Sequence, residues 1–157
     1  MSKVIDVYEN KILKLKNVFS QTIVIDEKFT NKPLEMYSKE FIDYMKNNKI
    51  DGFGPIVIYN SIIGSDEKKM ILKLLRQTKN EHISCVYPYE YQEEIKTKPC
   101  LFSRFNGYEK DAINQSYKMQ VYAYENDLVL DIESYTISKQ EEDKVSVDVF
   151  IPILGRC

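Results

Sequence analysis

The element order strand, helix, strand, strand is predicted twice along this chain, and this internal duplication most constrains its fold. In the first half, the β-branched run Val18–Ile25 predicts a strand, which Ile12–Leu15 either extends or pairs with separately. Apolar residues at steps of three and four predict an amphipathic helix over Pro33–Asn47, with Pro33 in its first turn and Asn31 as a cap. Two strands follow this helix, Ile56–Ile63 and, after the turn-like GSDEKK, Met70–Leu75.

The second half repeats this order. Pro99–Phe105 predicts a strand that ends at the turn signal Asn106–Gly107. The following segment, Glu109–Asn126, predicts a helix because four apolar residues share one face at helical spacing: Ile113, Tyr117, Val121 and Tyr124. The runs Leu128–Ile137 and Val145–Ile153 predict two strands, joined by a hairpin over the charged KQEEDK.

An alignment of the two halves pairs their helices and their third elements. Tyr37, Phe41 and Tyr44 align with Tyr117, Val121 and Tyr124, and both stripes are expected to pack on the sheet. With a shorter turn in the second half, Tyr59 aligns with Tyr135 and Val57 with Glu133. One copy then has an acid where the other has a valine, which is typical of a site near a pseudo-two-fold axis; chance substitution stays open as the other explanation.

The segment Leu128–Tyr135 places an acid within an apolar strand-like run. If the strand is continuous, Glu133 and Tyr135 point to the same side of it, because successive side chains alternate. In a cleft, this pair would offer a negative charge and an aromatic face to a cationic or hydrogen-bonding small molecule. On a solvated face, the same alternation is an ordinary exposed strand, and the pattern alone leaves both interpretations open.

Composition narrows the partners and the compartment. The 157 residues fit one domain, and the net charge of −2 with no basic block argues against nucleic acid. The three cysteines, Cys85, Cys100 and Cys157, indicate reduced thiols and a cytoplasmic location. No leader peptide and no apolar segment long enough for a membrane span is expected.

Catalytic patterns are scarce. The single histidine, His82, is expected to be exposed and has no cysteine or acid at metal-ligand spacing, so neither a metal site nor a Ser/His/Asp arrangement is predicted. No glycine-rich phosphate loop indicates a nucleotide, and no cofactor is predicted. The alternating tyrosines Tyr87, Tyr89 and Tyr91 predict an extended groove-side or partner-binding segment, or a surface connector.

Four segments together resemble the GyrI-like small-molecule-binding family, which includes the effector-binding domains of multidrug-sensing transcription regulators. They are GFGPIVIYNS at 52–61, FNGYE at 105–109, ESY at 133–135 and VFIPI at 149–153, and the likeness extends from about Val18 to Ile153. The resemblance implies an α+β fold in which two similar halves form an antiparallel sheet backed by two helices, with a groove between them. It also implies that the acid before the tyrosine, here Glu133, lies in the ligand groove.

The resemblance has departures. No helix-turn-helix precedes the predicted first strand, so a stand-alone domain over residues 1–157 is expected, with halves at about 12–78 and 97–153 and a connector at about 79–96. Arg104–Phe105 stands where the family often has a histidine or another polar residue, and tryptophan is absent.

Three functions follow as hypotheses. The first is a binding protein that takes an apolar or lipophilic-cation ligand in the groove, with Glu133 opposing the charge and Tyr59 and Tyr135 stacking beside Val57. The second is a protein-interaction or accessory protein, for example of a secretion or toxin system, with a closed groove and an exposed apolar surface. The third is a hydrolase using Glu133, although the sequence favours a protein without catalytic residues. A monomer and an edge-paired homodimer are both compatible with the sheet.

Overall fold

The computed structural model describes residues 4–25, 32–63 and 69–157. Over these ranges the chain forms nine strands and two α-helices, an α+β class with antiparallel strand pairing, as predicted. The predicted Asn31 cap and the turn over residues 64–68 lie outside the described residues. The elements are β1 (Val4–Lys11), β2 (Lys14–Ile25), α1 (Leu34–Asn47), β3 (Gly52–Ile63), β4 (Lys69–Thr78), β5 (Tyr89–Lys96), β6 (Cys100–Tyr108), α2 (Ile113–Glu125), β7 (Leu128–Leu130), β8 (Ser134–Glu141) and β9 (Lys144–Arg156).

These elements form two compact units. The first, here the 14–95 unit, comprises Lys14–Ile95; the second, here the 96–157 unit, comprises Lys96–Cys157 together with Met1–Leu13. The strand order is β5-β2-β4-β3 in the 14–95 unit and β1-β6-β9-β8 in the 96–157 unit, where β7 also pairs with β9. Each unit therefore contains the predicted order strand, helix, strand, strand plus one added edge strand, except that the strand after α2 is split into β7 and β8.

The two added strands were not predicted. Residues 79–96 were expected to be a connector, but β5 occupies the end of this segment and lies beside β2. Likewise, β1 occupies the residues before the first predicted strand and pairs with β6. Strand β5 is mostly polar, YEYQEEIK, so its hydrophobic pattern is weak, and its place depends on backbone pairing with a partner distant in sequence.

Helix α1 packs as the sequence predicts. Phe41 and Met45 are buried, and they join one core cluster with β2 and β4 residues: Phe19, Ile23, Leu72 and Leu74. Tyr44 is half-buried, and its ring stacks on Tyr89 of β5 with 3.8 Å between centroids. The added edge strand thus extends the sheet face on which α1 packs.

Helix α2 faces the sheet with a different set of residues from the predicted one. Ile113, Tyr117, Val121 and Tyr124 are exposed, whereas Gln115, Met119 and Ala123 are buried. Gln115 satisfies its buried amide by donating from Nε2 to the carbonyl oxygens of Val147, at 2.9 Å, and Ser103, at 3.1 Å. The expected apolar stripe of α2 is therefore not its core face.

The helix C-termini show why that prediction was wrong. Asn48 ends α1 and donates from Nδ2 to Tyr44 O at 2.8 Å, and Asn126 ends α2 and donates to Tyr122 O at 2.9 Å. The next residues, Lys49 and Asp127, both have a φ of 57°. Tyr44 therefore corresponds to Tyr122 and not to Tyr124, and a two-residue error turns a helix face by about 200°.

The same correspondence, carried into the next strands, realigns the predicted site. Val57 corresponds to Tyr135, because the 78 residues that separate Asn48 from Asn126 also separate these two positions. Glu133 then corresponds to Pro55. The predicted pairing of Glu133 with Val57 is therefore displaced by two residues, in the direction opposite to that of the helix alignment.

Among the described residues, neither α1 nor α2 is long and apolar enough to cross a membrane.

Phe41→Ala should lower the free energy of unfolding by about 3–5 kcal/mol, because Phe41 is fully buried between α1 and its sheet. Tyr124→Ala removes a similarly large ring from an exposed position and should change it by less than about 0.5 kcal/mol. Urea unfolding of both variants at low micromolar protein concentration measures the difference. Equal losses in the two variants would contradict the placement of the helix faces.

Candidate functional site

Glu133 lies in a bend that interrupts the predicted strand Leu128–Ile137. Strand β7 ends at Leu130 and β8 begins at Ser134, so the side-chain alternation assumed across this segment does not hold. The bend is held by two hydrogen bonds: Asp131 N donates to Pro152 O at 2.9 Å, and Ile132 N donates to Asp131 Oδ1 at 2.7 Å. Glu133 is half-buried at the start of β8.

Glu133 nevertheless interacts electrostatically with Tyr135. Burial raises the pKa of Tyr135 to about 12, and the negative charges of Glu133 and Asp131 contribute to this rise. Burial also raises the pKa of the Cys100 thiol, against the effect of a hydrogen bond with Thr97, and Glu133 adds to the rise. At neutral pH, Tyr135 and Cys100 are therefore protonated and uncharged, next to a carboxylate.

Tyr135 stands at one end of a row of aromatic side chains that crosses four strands. It pairs with Phe150 of β9, which pairs with Phe102 of β6, which pairs with Tyr8 of β1. Directly paired residues share a sheet face, so these four rings, here called the aromatic row, lie side by side. The ring centroids of Phe102 and Phe150 are 4.8 Å apart and those of Tyr8 and Phe102 are 6.2 Å apart.

The aromatic row lies on the face of the sheet that α2 does not cover. The residues that pack against α2, among them Leu101, Val149 and Ile151, alternate along their strands with Phe102 and Phe150. Phe102 and Phe150 are buried, whereas Tyr8 is half exposed. The aromatic row is therefore buried in its middle and more accessible at its two ends, Tyr8 and the half-buried Tyr135.

The two ends of the aromatic row differ in charge. Near Tyr8, the protein's own cations lie over the ring of Phe102, with Lys11 Nζ at 5.7 Å and Arg104 Cζ at 5.5 Å from its centroid. Arg104 also forms a two-pronged ion pair with Asp148, with N–O distances of 2.8 and 2.9 Å. At the other end, Glu133 supplies negative charge beside Tyr135.

The other two predicted site residues belong to the 14–95 unit. Val57 and Tyr59 lie on β3, on the sheet face that α1 does not cover, because the alternate residues of β4, Leu72 and Leu74, pack against α1. Val57 is only 2% exposed. Lys73 lies over the Tyr59 ring, with Nζ 5.7 Å from the centroid. Glu133 and Tyr135 thus share one unit, and Val57 and Tyr59 share the other.

The tyrosines of residues 87–91 have separate roles. Tyr89 packs on α1, Tyr91 donates from its hydroxyl to Asn17 Oδ1 at 2.7 Å, and Tyr87 is exposed. A cleft of about 350 Å³ runs along this segment, lined by Thr22, Ile83, Cys85, Tyr87, Pro88, Tyr89, Glu90 and Tyr91. His82 is exposed, as expected. Among the described residues, no cluster of three or more His, Cys, Asp or Glu could hold a metal ion.

Sequence reasoning missed Phe150, Phe102 and Tyr8. The alternation in Leu101–Phe105 and Val147–Phe150 contains a signal for a two-faced strand, but it does not say which face the helix covers. The row also depends on strand register, which the sequence does not state.

Comparisons with known proteins place the fold. No family model and no curated protein matches the sequence. Solved structures do match: the EcmrR C-terminal domain has a TM-score of 0.62 and 12% identity, with 98% of each chain covered. SAV2435 bound to tetraphenylphosphonium has a TM-score of 0.53 and 9% identity, covering 99% of this chain and 95% of that one.

A third structure gives the same fold inside a longer protein. In a cryo-EM structure of the EcmrR–DNA complex in EcmrR-RPo, the match has a TM-score of 0.62 and 13% identity and covers 96% of this chain but only 57% of that one. This chain therefore spans a little over half the length of that protein. Its fold is the GyrI-like α+β fold, as the sequence resemblance implies.

Tyr135→Phe should remove part of the alkaline loss of stability. Tyr135 keeps its proton in the folded state up to a pKa of about 12, whereas a tyrosine in the unfolded chain titrates near 10. Its contribution is therefore complete below pH about 10 and is lost as the pH rises towards 12. Urea unfolding from pH 9 to 12 should show a smaller decline in Tyr135→Phe than in the wild type. The same decline in both would contradict the raised pKa, and the exposed Tyr124→Phe serves as the control.

Proposed function

We propose that this chain binds an apolar or lipophilic cation at the Glu133 end of the aromatic row. The observation that carries the proposal is the combination found there: a carboxylate beside a neutral tyrosine that continues into buried phenylalanine rings. The site requires no catalytic residue. The proposed function is therefore binding.

The charges at this end suit a cation. Tyr135 and Cys100 stay protonated at neutral pH, so neither adds a charge of its own beside Glu133. Aromatic faces attract cations through their quadrupole, and the attraction grows when the pair is desolvated. The chain already uses this interaction at the opposite end, where Lys11 and Arg104 lie over Phe102.

The aromatic rings favour a ligand that is apolar as well as charged. A small hydrated cation would lose its water shell against Phe150 and Tyr135, whereas a cation with apolar substituents buries those substituents on the rings. Binding pockets commonly combine such apolar walls with a few placed polar groups. Glu133 would then set the preference for charge, and the rings most of the affinity.

The fold supports the same class of ligand. SAV2435, which shares this fold at a TM-score of 0.53, is bound to tetraphenylphosphonium in its structure, and that compound is a lipophilic cation. The identity of 9% means that its contacts do not transfer, so the proposal rests on the residues of this chain.

Val57 and Tyr59 remain predicted ligand-binding residues, but they are expected to contribute less than Glu133 and Tyr135. Lys73 lies 5.7 Å from the Tyr59 ring, so positive charge is already present there. A cationic ligand is therefore expected to depend more on Glu133 and Tyr135 than on Tyr59. Val57, which is 2% exposed, is expected to act only as apolar support.

Isothermal titration with tetraphenylphosphonium tests the proposal. Glu133→Gln should weaken binding about tenfold or more, because a charge-assisted contact typically contributes about 1.5–3 kcal/mol. Glu142→Gln, an equal change in the exposed turn between β8 and β9, is the matched control and should bind like the wild type.

A neutral ligand separates charge from shape. Triphenylphosphine oxide presents similar phenyl groups without a net positive charge, so Glu133→Gln should leave its affinity nearly unchanged. If the wild type binds neither compound, the proposal for this ligand class is overturned. Equal weakening by Glu133→Gln and Glu142→Gln would show that net charge, and not the site, governs binding.

A further inference from the structure

The outward face of α2 carries an apolar stripe. Its members recur at steps of four, four and three, so they stand on one side of the helix, and each is exposed to solvent. This outer α2 stripe consists of Ile113 (78% exposed), Tyr117 (72%), Val121 (40%) and Tyr124 (85%). It belongs to neither the core nor the proposed ligand site.

The outward face of α1 provides a comparison for the outer α2 stripe within the same chain. Under the correspondence fixed by the two helix C-termini, the four positions match Glu35, Lys39, Asp43 and Lys46 of α1. All four of these are charged and exposed, the usual character of a helix face in water. One copy of the duplicated helix thus has a solvated face of charged residues, whereas the other has Ile, Tyr, Val and Tyr at the same positions.

Helix α2 itself carries little charge. Only Lys118 and Glu125 are charged in α2. Lys118 is directed to the edge strand, where Nζ donates to Ile5 O at 2.6 Å. The exposed residues between the stripe positions, Asn114, Ser116 and Gln120, are uncharged. Depletion of charge with enrichment of tyrosine is the composition of a protein interface core.

We propose that the outer α2 stripe binds the same stripe of a second copy of this chain. A two-fold interface places one patch against itself, so the patch must be self-compatible, and an uncharged apolar stripe meets this condition. A differently charged partner would call for complementary charge, which the stripe does not offer. A membrane surface would call for lysine and arginine beside the apolar face, and α2 has only the engaged Lys118.

The size of the stripe sets the strength of the pairing. Two tyrosines and two aliphatic side chains offer roughly 400 Å² per copy, since a buried aromatic side chain covers about 150–250 Å². The pair of copies would bury roughly 800 Å², below the roughly 1,200–2,000 Å² of stable complexes. The dimer is therefore reversible, and it forms at high protein concentration.

The two-fold axis also sets which residues meet. In an antiparallel helix pair centred between Tyr117 and Val121, Tyr117 faces Val121 of the second copy. Ile113 then faces Tyr124 of the second copy. Residues at the same position are far apart at the ends of the pair: the two copies of Ile113 stand about 18 Å apart along the helix axis, because each lies six residues from the centre at 1.5 Å per residue.

Sedimentation velocity over a concentration series tests the association. The wild type should shift from monomer to dimer between low micromolar and several hundred micromolar. Tyr117→Lys with Val121→Asp, the residues that α1 has at the matching positions, should stay monomeric throughout. Met36→Lys, at an exposed position of α1, is the control and should dimerise like the wild type. Circular dichroism and a melting curve check that each variant folds.

Disulfide trapping tests the arrangement independently. In a background of Cys85→Ser and Cys157→Ser, where Cys100 stays buried, Ile113→Cys and Tyr124→Cys are prepared with tags of different mass. Mild oxidation should cross-link the mixture into a heterodimer and should leave each variant alone largely uncrosslinked. Cross-linking of each variant with itself would overturn the antiparallel arrangement.

Three results would overturn the proposal. A wild type that stays monomeric at every concentration would do so, as would a dimer that survives the double substitution. A monomeric wild type that captures a different protein through the stripe would reassign the surface to that partner. Ligand binding at Glu133 should be unchanged in the stripe variants, so failure of one proposal leaves the other standing.

Discussion

The packing of one helix onto one face of each sheet is the constraint on which the rest of the structure depends. Phe41 and Met45 in α1, and Met119 and Ala123 in α2, commit one face of the strands beneath them to the core. Because side chains alternate along a strand, that commitment fixes what the opposite face displays. The aromatic row and Tyr59 therefore lie on the face opposite the helix, and Glu133 lies beside that face.

The edge strands complete each unit in a way that local pattern does not reveal. Strand β5 precedes the second half in sequence but lies in the 14–95 unit, and β1 precedes the first half but lies in the 96–157 unit. Each then holds its helix by a side-chain contact at an equivalent tyrosine. Tyr44 stacks on Tyr89, and Tyr122 donates a hydrogen bond to Glu9 at 2.7 Å. The contacts differ in chemistry, but the helix is fixed at the same place.

The two copies have kept their backbone and diverged in their side chains. Both helices end at an asparagine followed by a residue with positive φ. The strand after each helix is irregular near its start, with a register shift in β3 and a break between β7 and β8. Divergence has instead changed charge: Lys73 lies on the helix-free face of one unit and Glu133 beside that of the other. On the outer helix faces, a charged set in α1 is matched by an apolar set in α2. Two identical scaffolds thus offer different surfaces for recognition.

The sequence by itself determined the existence and order of most elements, the duplication, the α+β class and the nearness of Glu133 to Tyr135. These follow from local periodicity and from short separations along the chain, which side-chain chemistry encodes directly. Only the tertiary structure decided the two edge strands, the buried face of α2, the register of the repeat and the aromatic row. Each of these depends on contacts between residues distant in sequence. The apolar stripe of α2 misled the prediction because a helix with two apolar faces does not state which one meets the sheet, and the buried Gln115 meets it through hydrogen bonds to Ser103 and Val147.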